Sequence, residues 1–73
     1  MSKLVDALIK KYEGEVMVAK ANIEILLHNP NGVADHPDMA GTLDGLVRNL
    51  HSAQEQLAAL KCLETNDKEF LQD

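Results

Sequence analysis

The residues with the most chemical potential in this 73-residue chain are its three histidines and the acids beside them. Asp35, His36 and Asp38 stand within four positions, and His28 lies seven residues before Asp35. Two carboxylates and two imidazoles near one place could ligate a metal ion. The spacing argues otherwise. It does not pair ligands on one helical face, and local side-chain to backbone bonds account for Asp and Asn in such a run. Capping and turn formation is the expected role of these residues, with no metal and no cofactor. A second constellation is cationic. Lys20, His28, His36, Arg48 and His51 could surround a phosphate-bearing ligand if different subunits brought them together, helped by the amides at a helix N-terminus. Arg48 is the only arginine, and a solvated surface charge is its simpler reading. Catalysis finds little support. No serine, histidine and acid form a nucleophile constellation, Cys62 has no histidine near it in sequence, and His51 falls far along its helix from the connector. The chain is read as a non-enzyme.

These residues must be positioned by two long segments. From Val5 the apolar residues fall at Val5, Ile9, Tyr12, Val16, Ala19, Ile23 and Leu26, alternating steps of four and three, which is a heptad stripe. Met39, Leu43, Leu46, Leu50, Ala53, Leu57 and Leu60 repeat the pattern. Ser2 can cap the first helix, and Asn29-Pro30 stops it, because the residue before proline is pushed out of helical geometry. The expected first helix covers about 3–28 and the connector 29–35. Asp35 is read as the cap of a second helix over about 36–64, with Pro37 in its first turn. Replacing Asp35 with alanine is then expected to cost about 1 kcal/mol. Asn66 and Glu69 suggest a capping box for a short C-terminal turn or helix over 66–72. The fold class is all-α: one domain, an antiparallel two-helix hairpin with a short C-terminal turn.

Size and composition predict self-association. Tyr12 and Phe70 are the only aromatics, and Cys62 is the only cysteine, so neither a large core nor an internal disulfide can supplement so short a chain. Oligomerisation into a helical bundle remains. Ala7, Gly14 and Ala21 recur every seven residues off the main stripe, with Met17, Val18 and Ile25 beside them. A mid-helix glycine costs about 1 kcal/mol relative to alanine, and close approach of another helix is the reading given to Gly14. The second helix is expected to carry its own second apolar surface through Val47, Ala58, Ala59, Cys62 and Leu63. Gly14, Met17, Val18, Ala21, Ile25, Val47, Leu63 and Phe70 are the expected oligomer interface.

The formal net charge of −5 and the scarcity of aromatics argue against nucleic-acid binding, and no segment approaches the roughly 20 apolar residues of a membrane span. With no signal-peptide pattern at Met1 to Asp6, the expected location is the cytoplasm. His36-Pro37-Asp38 between helices is also the tripeptide of J-domain co-chaperones, but the basic helix that precedes it in that family is missing here.

Most of the chain resembles a group of short uncharacterised proteins of tailed bacteriophages: a helix ending in Ile25-Leu26-Leu27, then Asn29-Pro30-Asn31-Gly32-Val33, Asp35-His36-Pro37-Asp38 and a Leu/Ala/Gln-rich helix. The resemblance implies a setting in the host cytoplasm and a non-catalytic accessory role. The expected function is a homo-oligomeric binding module that inhibits a host defence factor. A sponge that sequesters a phosphate-bearing nucleotide signal is the first alternative, and a purely structural bundle component the second.

Overall fold

The structure is a computed structural model and describes residues 2–28 and 38–65. Two α-helices make up the described chain, α1 over Lys3–His28 and α2 over Met39–Thr65, with no strand among the described residues. Neither helix contains a proline. The two pack lengthwise as a helical hairpin, and neither is long and apolar enough to cross a membrane.

The heptad rule explains which faces meet. Every residue of the two stripes is buried or half-buried, and outside them only Glu13, Thr42 and Glu64 reach even the half-buried class. Residues spaced alternately three and four apart stay on one side of a helix with 3.6 residues per turn, so each helix offers one continuous apolar edge. The interior is thin. Ile9, Ala19, Leu26, Ala53 and Leu60 are buried, and no side chain among the described residues is wholly removed from solvent.

Both helix starts are capped. At α1 the Ser2 hydroxyl accepts from the amides of Leu4 at 3.1 Å and Val5 at 3.3 Å, as the sequence suggests, and the Asp6 amide donates to the Ser2 carbonyl. At α2 the sequence reading is corrected. The helix begins at Met39, three residues beyond the expected His36, and its cap is Asp38, whose Oδ1 accepts from the Gly41 amide at 2.8 Å. The Thr42 hydroxyl adds a bond to the Asp38 carbonyl at 2.9 Å. Proline disfavours helical geometry in the residue before it, which argues against a start at His36, and Asp38 follows Pro37. Gly41 suits the cap for a steric reason: a Cβ there would meet the Asp38 carboxylate, with Cγ only 2.7 Å away. Asp35, His36 and Pro37 lie outside the described residues, as do the proposed C-terminal turn and Phe70.

Candidate functional site

Labelling the inner stripe of each helix a and d makes the other faces comparable. On α1 the c and f positions lie on the far side of the helix and read Leu4, Ala7, Lys11, Gly14, Val18, Ala21, Ile25 and His28, all exposed. This is a second heptad seam. Leu4 is 73% exposed, Val18 61% and Ile25 56%, and Met17 on its flank is 71% exposed. Lys11 is the one lysine in the seam, and it leans aside: its Nζ pairs with Glu15 at 4.0 Å and lies 5.2 Å from the Tyr12 ring centre. Both partners are on the flank away from the f positions. The lysine stem therefore continues the apolar seam while its charge sits at the edge. A Cβ built on Gly14 meets nothing within 4 Å, so the hairpin itself gives no steric reason for a glycine there.

The outer face of α2 is different. Asp44, Arg48, His51 and Glu55 run along it, with Arg48 paired to Asp44 at 3.2 Å and His51 to Glu55 at 3.2 Å, the latter an ion pair when the imidazole is protonated. Pairs spaced four apart stabilise a helix by roughly 0.2–0.5 kcal/mol each, so this face reads as a solvated one. Val47, Ala58, Ala59, Cys62 and Leu63, the expected second apolar surface of α2, are all exposed; Ala58, Ala59, Cys62 and Leu63 are neighbours on the outer side of its last turns, and Val47 stands apart on the flank opposite Leu63.

A shallow groove of about 500 Å³ connects the α1 seam to the flank of α2. It is lined on α1 by Lys11, Gly14, Glu15, Val18, Ala19 and Asn22, and on α2 by Leu46, Asn49 and Ser52. A smaller recess of about 330 Å³ lies farther along α1 among Ala21, Glu24, Ile25 and His28.

Within one hairpin the cations singled out from the sequence lie apart. Lys20 is exposed on a flank of α1, His28 lies at the end of the seam, and Arg48 and His51 point outward from α2, each tied to an acid of its own helix. His36 is outside the described residues. Among the described residues, no three His, Cys, Asp or Glu side chains approach closely enough to hold a metal ion. Of the expected interface residues, Gly14, Val18, Ala21 and Ile25 share the outer seam of α1 and Met17 borders it. The sequence reading did not include Leu4, which extends the same three-four alternation to the start of the helix. No protein-family model, curated protein or solved structure matches this chain.

Proposed function

We propose that this protein is a non-catalytic binding module that works as a homo-oligomer, a small accessory protein of the phage type that acts by holding a host factor. The observation that carries the reading is the outward seam of α1. A two-helix hairpin needs one apolar face per helix, and α1 has two. Contiguous exposed apolar surface on so small a protein marks an interaction site. The thin interior supports the same reading, because chains this short commonly gain the burial they lack by association. The charged face of α2 is then left to solvent or to a partner.

Native mass spectrometry of the purified protein, before and after mixing with host extract, tests both halves. Ions at multiples of the 8.0 kDa chain mass support the oligomer, and a host protein retained on them supports the binder. Only the single-chain mass at micromolar concentration rejects the proposal. A retained nucleotide mass would replace the binder with the sequestering alternative, for which the paired Arg48 and His51 offer no preformed pocket.

A further inference from the structure

We infer that the outer seam of α1 is covered by the same seam of a second copy, laid antiparallel, so that the two hairpins join through α1 and carry α2 on the outside. This rests on the homo-oligomer proposed above and specifies its interface. The first argument is the order of sizes. Along the seam, large side chains hold the c positions, Leu4, Lys11, Val18 and Ile25, and small ones hold f at Ala7, Gly14 and Ala21, with His28 closing the series at the helix end. Parallel helices in register would stack c on c and f on f, crowding one layer and leaving a void in the next. Antiparallel helices stack c on f, so every layer from Ala7 to Ile25 joins a large residue to a small one, and only the two end layers, Leu4 on His28, join two large ones.

With the full length of α1 overlapped, Val18 falls on Gly14 of the second copy, Ile25 on its Ala7 and Lys11 on its Ala21. Gly14 then has the function the hairpin alone does not give it. Lys11, Gly14, Glu15 and Val18, which all line the larger groove, are spaced i, i+3, i+4 and i+7, the diamond-shaped hole that a knob from a facing helix enters. In this register the knob is Val18 of the second copy.

The second argument is charge. The same register sets Lys10 beside Glu24 of the second copy, twice by symmetry, and Met17 beside its own copy on the twofold axis. Glu24 makes no ion pair among the described residues, while Lys10 is highly exposed and its contact with Glu13, at 3.6 Å, is a surface pair that contributes little. The one like-charge approach, Glu15 with Glu15 near the axis, is moderated because each is paired with its own Lys11.

Two measurements in the Cys62→Ser background decide it. Charge reversal Lys10→Glu is expected to weaken self-association at least tenfold, and Lys10→Glu combined with Glu24→Lys to restore it. Positions 10 and 24 are about 21 Å apart along one helix, too far to couple within it. Spin labels on Met17→Cys are expected to broaden each other's spectrum, whereas labels on Lys3→Cys lie about 40 Å apart across the dimer. An oligomer in which the double swap fails to restore association, or in which Lys3 labels are close, overturns this pairing and leaves the homo-oligomer standing. A single-chain mass for the unreversed protein overturns both.

Discussion

The inner edges of α1 and α2 are built alike, and their outer faces are not. Each helix contributes seven stripe residues at the same three-four spacing, and each stripe holds one buried alanine between larger aliphatic neighbours. Turned outward, α1 shows Leu4, Val18 and Ile25 with small residues between them, whereas α2 shows Arg48 paired with Asp44 and His51 in contact with Glu55. The difference separates two tasks. The inner edges make the hairpin, α1 has a second apolar face that the hairpin leaves exposed, and α2 has a charged one.

The comparison can be broken at either edge. The largest effects belong to the inner one: Leu26→Ala and Leu60→Ala are each expected to cost about 2–4 kcal/mol in denaturant unfolding, because both side chains are buried and the thin core can collapse only in part. Similar costs on the two helices would confirm that the inner edges are equivalent. Next comes the outer contrast. Val18→Asp is expected to weaken self-association about 100-fold, close to 2.7 kcal/mol, with helix content by circular dichroism retained. Arg48→Ala, on the matching face of α2, is expected to leave association unchanged, and a loss there as large as that at Val18 would remove the distinction between the faces.

Smaller effects sharpen it. Asp38→Ala should lower the melting free energy by about 1 kcal/mol through the lost cap. The three described helical glycines should then separate. Gly45→Ala meets open space and is expected to stabilise by about 1 kcal/mol. Gly41→Ala should gain less, since its methyl displaces the Asp38 carboxylate. Gly14→Ala meets open space within the hairpin, yet is expected to weaken association because the methyl enters the seam; the paired readout is unfolding at high dilution against sedimentation at high concentration.

Much of the helical architecture was legible because it rests on periodicity. Apolar residues alternately three and four apart can face only one side of a helix, and the fourteen positions so chosen, from Val5 to Leu60, are all buried or half-buried. Capping chemistry alone does not fix the start of α2, because Asp35 and Asp38 both satisfy the pattern; Pro37 and Gly41 are the steric signals that favour Asp38. The outer seam of α1 was half legible. The recurrence of Ala7, Gly14 and Ala21 pointed to it, but a lysine at position 11 breaks the pattern on paper, and only its lean toward Glu15 and Tyr12 restores continuity. The off-stripe apolar residues of α2 gather only near its C-terminal end, at Ala58, Ala59, Cys62 and Leu63, with Val47 apart from them. Lys20, His28, Arg48 and His51 were gathered by type rather than by face, and spacing alone could not show that two of them were already satisfied by acids one turn away.

Sedimentation equilibrium of the intact chain beside Val18→Asp at the same micromolar concentration tests the central claim most directly. The outer seam of α1 predicts a multiple of 8.0 kDa for the intact protein and 8.0 kDa for the variant. Equal masses for the two would contradict it.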